Sequence, residues 1–337
     1  MNSARWMWIL AVLCLATAQT SVAQPAPHAA DHQGDLTGVW SNASLTLLQR
    51  PANLASLTMS EEEARRLAAA SPWVRGAVDD AEPTDPAAGA PAVGGAVGAV
   101  NAFWSDPGDR YARVKSEYRT SWIVEPANGR LPLTQAGLAA TRAAAATRAR
   151  EDPDGPEHLA PNDRCLIASR GTGGPGLLNN IYNSNYQIVQ TPDAVVIVSE
   201  MIHDARIIPI RANAEAARAA HGPAALNRWL GDSAGWWSGD TLIVETVNVN
   251  QQQGTFGPIF LSPRGKVTER FTRVAVNEIF YEFQVDDPVY YSRPWRAEMT
   301  LSALAGQIYE FACHEGNYAL PGILAGARLA ERIAAGN

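Results

Sequence analysis

A cluster of ionisable residues interrupts an apolar stretch near the middle of the chain. Residues 199–210 read SEMIHDARIIPI, and Glu200, His203, Asp204 and Arg206 fall where aliphatic neighbours predict a buried strand. Because burying unpaired charges is costly, these groups either face water or form a site. Strand alternation places Glu200, Asp204 and Arg206 on one face. We expect Asp204 to pair with Arg206 and His203 to reach the same cavity from a bend; the alternative is a solvent-facing pair of little energetic value.

A second concentration, ACHEGNY at 312–318, offers His314, Glu315, Asn317 and Tyr318 at the end of a predicted strand. Ligand-contacting groups often lie at such strand ends, although a purely structural turn is the alternative. Imidazole titrates near neutral pH, and a neighbouring carboxylate orients it, so two histidine–carboxylate pairs suit general acid–base catalysis. The predicted catalytic residues are His203 as acid or base, Asp204 as its orienter, Arg206 as an anion partner, and His314 with Glu315 as the opposing pair.

Other chemistries are less well supported. The spacing of His203 and His314 matches no familiar zinc or facial-triad motif, so we predict no metal and no other cofactor. A metal-dependent hydrolase or oxygenase remains an alternative through these two histidines. No G-x-S-x-G motif occurs, and GTGGPG at 171–176 lacks the lysine of a phosphate loop, which argues against serine hydrolases and nucleotide enzymes.

Aromatic residues are abundant in the second half of the chain. Most are expected in the core, but some of them could line a pocket for an apolar or aromatic ligand. Trp236 and Trp237 point to opposite faces of an extended strand, so at most one of them faces inward. The predicted substrate-binding residues are Glu200, Trp236, Trp237, Tyr281, Trp295, Asn317 and Tyr318.

Acidic residues recur about once per predicted strand in the same region. We expect them to form a solvated outer face, paired across strands with nearby arginines. The acids are Glu245, Glu269, Glu282, Glu298 and Glu310, and the arginines are Arg270, Arg273 and Arg296.

The elements that position these residues are mostly strands. NYQIVQT and AVVIVSEMI flank Pro192-Asp193, and GWWSGDTLIVETVNV folds about Ser238-Gly239-Asp240, which predicts two hairpins. KVTERFTRVA, EIFYEFQVDD, WRAEMTLSAL and QIYEFACHE follow as further strands. Helices are predicted from Ser60 to about Ala70, from Thr134 to about Arg150, within 212–229, and over Leu320–Ile333. An antiparallel meander of this length avoids exposed edges by closing into an up-and-down barrel; a two-sheet sandwich is the alternative.

The ends and composition of the chain indicate export. Residues 1–23 have the layout of a signal peptide, residues 24–34 are a polar, flexible N-terminus, and residues 35–337 form one domain, with 79–100 a low-complexity loop. Cys165 and Cys313 then remain as one pair, which predicts a disulfide rather than free thiols or a metal ligand. A periplasmic or secreted location follows, without a membrane anchor.

The charge balance limits the partners. The net charge is -7, and the 25 arginines and 2 lysines are spread along the chain without a cluster. Nucleic acid and anionic membranes are therefore poor partners, and a small hydrophobic or aromatic ligand is expected. The oligomeric state is not predicted.

Several motifs together resemble a family of exported Gram-negative bacterial proteins of uncharacterised function. They are DLTGVW, HDARIIPI, GDSAGWWSGDTLIVET, ERFTRV, RPWRAEM and YEFACHEGNYALPGILAGAR, within about residues 160–330 and at 35–40. The resemblance implies a shared scaffold and a shared site, but no reaction. Gly38-Val39-Trp40 before a meander is also similar to the lipocalin or calycin pattern.

From these features we predict an exported, cofactor-independent enzyme of the lyase, isomerase or hydratase type. It would act by proton transfer on a small apolar or aromatic compound held in the barrel cavity. The alternative is a lipocalin-like protein that binds a small hydrophobic ligand without changing it.

Overall fold

The structure is a computed structural model that describes residues 34–81, 106–148 and 153–336. The predicted signal peptide, nearly all of the predicted flexible N-terminus, and residues 82–100 of the predicted loop lie outside these ranges. Residues 79–81 belong to the end of a helix.

Strands dominate the described residues. The strands are β1 (Gly38–Ser41), β2 (Thr58–Met59), β3 (Arg113–Val114), β4 (Glu117–Arg119), β5 (Ile123–Glu125), β6 (Asn185–Gln190), β7 (Ala194–Ser199), β8 (Ala205–Pro209), β9 (Asp232–Ser238), β10 (Thr241–Val247), β11 (Lys266–Ala275), β12 (Glu278–Asp286) and β13 (Trp295–Ala303). The helices are α1 (Glu61–Ala69), α2 (Pro72–Ala81), α3 (Gln135–Arg148), α4 (Ala214–Ala219), α5 (Gln252–Thr255) and α6 (Ala319–Ala334).

Nine strands form one continuous antiparallel sheet in the order β8-β7-β6-β1-β13-β12-β11-β10-β9, and β5 adds to the start of β13. The two end strands meet through a parallel bridge between Ile210 and Gly235, where the Arg211 N–H donates to the Gly235 carbonyl at 2.8 Å. The sheet is thus a nearly closed barrel, which confirms the predicted all-β barrel with peripheral helices. A separate small sheet has the order β2-β4-β3.

The barrel follows from the alternation along its strands. In β12 every second residue is buried, which directs Ile279, Tyr281, Phe283 and Val285 inward. Aromatic rings from neighbouring strands pack on these residues: Phe271 lies 4.6 Å from Tyr281, and Trp295 lies 5.6 Å from Phe283, between ring centroids. The interior at this level is packed with side chains, as in other small barrels.

Both predicted hairpins are present, and β11 to β13 continue the meander as expected. The prediction of a strand over QIYEFACHE is wrong, because residues 307–315 have no ladder partner. Most of these side chains are exposed, so the segment lacks the buried face that holds a strand in a sheet.

The predicted helices begin near their predicted starts. α1 has Ser60 as its N-cap, whose hydroxyl accepts from the Glu63 N–H at 3.1 Å. The C-terminal helix α6 covers the predicted range, and the segment before it is tied to the rest of the chain by a disulfide between Cys165 and Cys313, as predicted. Among the described residues, no helix has both the length and the apolarity needed to cross a bilayer.

Candidate functional site

One end of the barrel gathers the segments of interest. Ser41 pairs with Asn185 and Tyr186 pairs with Ser199, so the end of β1, the start of β6 and the end of β7 lie together. The loop between β10 and β11 reaches the same end of the barrel. Neighbouring strands alternate in direction from β1 through β13, β12 and β11 to β10, so this loop lies at the end where β1 ends. Loops attached to a rigid sheet at one end are a common location for ligand sites.

A groove of about 710 Å³ lies among these loops and the helices beside them. Its lining residues all lie outside the barrel strands. Apolar side chains from five segments form most of it: Leu47, Leu67, Trp73, Tyr111, Leu178 and Phe256. Its polar lining includes Arg148, Arg170, Asn179 and Asn180. The volume and the mixed lining are those of a small-molecule pocket.

The groove shares a wall with the 199–206 stretch. Asn180 lines the groove, and its Nδ2 donates to the Ser169 hydroxyl at 2.7 Å. The Ser169 N–H and hydroxyl in turn each lie 3.3 Å from the Met201 sulfur, which accepts them. Segments 168–171 and 178–181 therefore separate the groove from the turn after β7.

The turn itself differs from the predicted strand. β7 ends at Ser199, a short 3₁₀ turn covers Met201–His203, and β8 starts at Ala205. Ile202 and His203 have positive φ angles of 60° and 44°. A β-branched residue in this conformation is a genuine outlier that the surroundings must enforce, and such strain gathers at functional sites.

Glu200 is buried at this turn and fully engaged. Its carboxylate accepts from the side-chain amides of Asn183 at 2.5 Å and Asn185 at 3.2 Å, and from the Tyr309 N–H at 3.3 Å. The carboxylate thus joins the start of β6 to the segment after β13. The sequence predicts a substrate-binding role for Glu200; in the structure its carboxylate bridges these segments, and its oxygens already accept hydrogen bonds.

Asp204 lies just behind the groove wall. Its carboxylate accepts from the Ala168 N–H at 2.6 Å. Burial raises the pKa of Asp204 to about 6, while the Ala168 hydrogen bond and the charge of His203 oppose the rise. A carboxyl group that titrates in this range is suited to proton transfer near neutral pH.

Arg206 does not pair with Asp204, so that prediction is wrong. Its guanidinium points into the barrel and forms a bidentate ion pair with Glu269 of β11, with Nη1 to Oε1 at 3.0 Å. The Tyr281 hydroxyl donates to the same Oε1 at 2.7 Å. Because Asp204 lies in the turn before β8, alternation along a single strand did not apply to the two residues.

The predicted clusters at 200–206 and 312–318 are adjacent, but they do not enclose a buried cavity between them. Met201 and Ile202 pack with Ala168, against which Phe311 and Cys313 also lie. His203, His314 and Glu315 are nevertheless exposed, and none of them lines the groove. The expectation of an enclosed pair of facing histidines is therefore wrong.

The remaining predicted binding residues are dispersed. Asn317 holds the 162–165 segment, because its Nδ2 donates to the Asp163 carbonyl at 2.8 Å, and Tyr318 is 84% exposed. Tyr281 and Trp295 are fully buried in the barrel core. Trp236 and Trp237 are half-buried on β9, and Trp237 packs against the core. None of these residues lines the groove.

The predicted solvated acidic face is correct only in part. Arg270 and Arg296 pair with Glu282 as expected, at 3.2 Å and 2.5 Å, and Glu310 is exposed. Glu269 is fully buried inside the barrel. Two further acids, Glu245 and Glu298, are buried too, and like Glu269 they have cationic partners. Arg273 binds backbone carbonyls and stacks over the Trp40 ring.

Sequence reasoning missed the groove because its residues come from separated segments of the chain. Trp73, Tyr111 and Phe256 lie in regions without a chemical motif, and nothing in their spacing indicates that they meet. The glycine-rich stretch at 171–176 adjoins Arg170 and Leu178 in sequence but does not line the groove, so it gives no direct signal for it.

Within the described ranges, no group of three His, Cys, Asp or Glu side chains is arranged to hold a metal ion. Comparisons of the chain with protein families, with curated proteins and with solved structures find no match. The resemblance to exported Gram-negative proteins stays a prediction, and a function must be argued from the geometry of this chain.

Proposed function

We propose that the protein is an exported, periplasmic or secreted protein that binds a small molecule with an apolar body in the groove beside the barrel. One observation carries this proposal: a space of about 710 Å³, lined mainly by apolar and aromatic side chains, at the end of a rigid barrel. The disulfide is compatible with an oxidising compartment. A binding protein with a groove outside the barrel is therefore proposed in place of a protein with a ligand inside it. The predicted aromatic residues Tyr281 and Trp295 are buried in the barrel core.

Exposed aromatic and aliphatic groups support the proposal. Trp73 is 42% exposed and Leu47 is 58% exposed, and both line the groove. Large apolar side chains left open to water in a concave place are typical of ligand sites, since burial by a ligand is favourable. A bound aromatic or aliphatic body would cover them.

The proposal is tested with the neutral fluorescent probe N-phenyl-1-naphthylamine. We expect saturable fluorescence enhancement with the mature protein, and at least fivefold weaker binding after Trp73→Ala. Trp236→Ala is the matched control, because Trp236 is an incompletely buried tryptophan outside the groove. Equal effects of the two variants, or no saturable binding, would contradict the proposal, provided that both variants retain the native circular dichroism spectrum.

A second candidate is the acid–base enzyme predicted from the sequence, of the lyase, isomerase or hydratase type. The observation that favours it is the half-buried Asp204 carboxyl group, with a pKa of about 6, next to His203 in a strained turn. In this case the ligand would extend from the groove over the wall at 168–171. No cofactor is part of this candidate.

Turnover separates the two candidates. A ligand identified by mass spectrometry of the purified protein is incubated with wild type, His203→Ala and Asp204→Asn. An enzyme would convert the ligand, and His203→Ala would abolish conversion with little change in affinity. Recovery of the unchanged ligand from wild type would leave the binding protein as the function.

A further inference from the structure

The electrostatic character of the groove identifies the class of ligand more narrowly. Among the described residues, its charged lining consists of Arg148 and Arg170, without an aspartate or glutamate. The whole chain carries a net charge of -7, so a cationic groove without acids is opposite in sign to the average surface. A local reversal of this kind attracts anions that the rest of the surface repels.

The amide groups in the groove are already used by the fold. Asn179 donates its Nδ2 to the Ser44 carbonyl at 2.7 Å and accepts from the Trp122 indole N–H at 2.8 Å. Asn180 donates to Ser169 and accepts from the N–H of Ile181 at 2.8 Å. These side chains hold the wall in place, so recognition of a polar group falls to other residues.

The guanidinium groups retain donors for a ligand. Arg148 Nη1 donates to the Thr255 carbonyl at 2.7 Å, and no other described residue accepts from its remaining N–H groups, which can therefore donate to a ligand. Arg170 makes no hydrogen bond or ion pair with any other described residue, and its φ is 56°. Because Arg170 is exposed, its guanidinium is hydrated in the free protein and is accessible to an anion in the groove.

Tyr111 adds a neutral polar group. Its hydroxyl has no hydrogen-bond partner within the described residues, and burial raises the pKa of Tyr111. The phenol therefore stays protonated at neutral pH and can donate to an anionic oxygen.

We infer that the groove binds an amphipathic organic anion, with an aliphatic or aromatic body against Leu47, Trp73 and Phe256 and an anionic head, such as a carboxylate, at Arg148 and Arg170. The inference rests on the proposed function and adds the charge of the ligand to it. Arginine suits this role because its planar fork can bind two oxygens of one carboxylate, sulfonate or phosphate at once.

A matched pair of probes tests the charge separately from the apolar contact. 1-Anilinonaphthalene-8-sulfonate carries the same aromatic body as N-phenyl-1-naphthylamine plus one anionic group. In wild type the sulfonate probe should bind at least fivefold more tightly than the neutral probe at low salt, and the difference should shrink in 0.5 M NaCl because exposed charges are screened.

Glutamine variants test whether Arg148 and Arg170 cause the tighter binding of the sulfonate probe. Arg148→Gln with Arg170→Gln should weaken binding of the sulfonate probe about tenfold and change binding of the neutral probe less than twofold. Arg142→Gln is the control for α3, because Arg142 is exposed on the same helix and does not line the groove. Arg211→Gln is a second exposed control outside the groove.

Displacement extends the test to the carboxylate. Decanoate should displace the neutral probe at a concentration at least fivefold lower than 1-decanol in wild type, and the two should become equal in the double arginine variant. If decanol and decanoate compete equally in wild type, the inference about charge is wrong while the proposed groove remains. If neither competes and Trp73→Ala has no effect, both are wrong.

Discussion

Arg206 of β8 and Glu269 of β11 form a bidentate ion pair inside the barrel, and both side chains are almost completely buried. The pair is surrounded by further hydrogen bonds. Arg206 Nη2 donates to Thr246 Oγ1 at 3.2 Å, and the Gly176 N–H donates to Glu269 Oε1 at 3.3 Å. Removal of one partner from such a pair leaves an uncompensated buried charge, which is more harmful than loss of the pair itself.

Arg206→Met should therefore lower the free energy of unfolding by about 3–5 kcal/mol. Glu269→Gln should have a similar effect, because it strands the guanidinium. The double variant Arg206→Met/Glu269→Leu should be clearly more stable than the sum of the single changes predicts. Urea denaturation of the four proteins measures this coupling, and additive losses would show that the pair is not energetically linked.

Reduction of the disulfide should destabilise the fold. Cys165 and Cys313 are 148 positions apart, and the bond fixes the segment before α6 against the 161–168 region. Cys313→Ser should lower the free energy of unfolding by about 2–5 kcal/mol. Thermal denaturation with and without dithiothreitol gives the measurement: the wild type should lose stability on reduction, and the variant should not respond.

Asp204 should make stability depend on pH. Its folded-state pKa of about 6 is above the value of an unfolded aspartate, so the stability it supports below pH 4 is lost as the pH rises through 6. The loss is about 3 kcal/mol, because the pKa lies about two units above the unfolded value. Asp204→Asn keeps an oxygen acceptor for Ala168 and should flatten the curve of stability between pH 4 and 7. Asp193→Asn, in an exposed turn, should leave the wild-type curve unchanged.

Gly174 lies against the ion pair. Its φ is 82°, and a Cβ there would approach Arg206 Nη1 to 2.6 Å. Gly239, in the β9–β10 turn, has a φ of 59° with no atom within 4 Å of the added Cβ. Gly239→Ala should thus cost about 1–2 kcal/mol from backbone conformation alone. Gly174→Ala should cost clearly more, and equal losses by chemical denaturation would contradict the close contact.

Much of the barrel could be predicted from the sequence because its strands carry local signals. NYQIVQT and AVVIVSEMI alternate, and Pro192-Asp193 lies between them, so the pairing of β6 with β7 follows from period and turn chemistry. QIYEFACHE has similar residue types but no neighbouring strand to pair with. Whether a short apolar segment joins a sheet depends on tertiary contacts that its own residues do not encode.

The ion pair between Arg206 and Glu269 is a feature that the sequence alone could not predict. Alternation in β11 places Glu269 on the same face as Val267 and Phe271, so its burial could have been inferred from the period. Its partner, Arg206, is 63 positions away and comes from another hairpin. The pairing requires closure of the barrel, which no local pattern specifies. The groove was also not predictable from the sequence, because α1, α2 and loops from distant segments form it together.

The incomplete closure of the barrel has a mechanical consequence. Among the described residues, β8 and β9 share a single parallel bridge, while the Arg206 guanidinium reaches across this gap to Ser233 Oγ of β9 at 3.4 Å. The barrel should therefore open first between β8 and β9. In deuterium exchange, amide protons along these two strands should be replaced earlier than those of β12, and Arg206→Met should widen the difference.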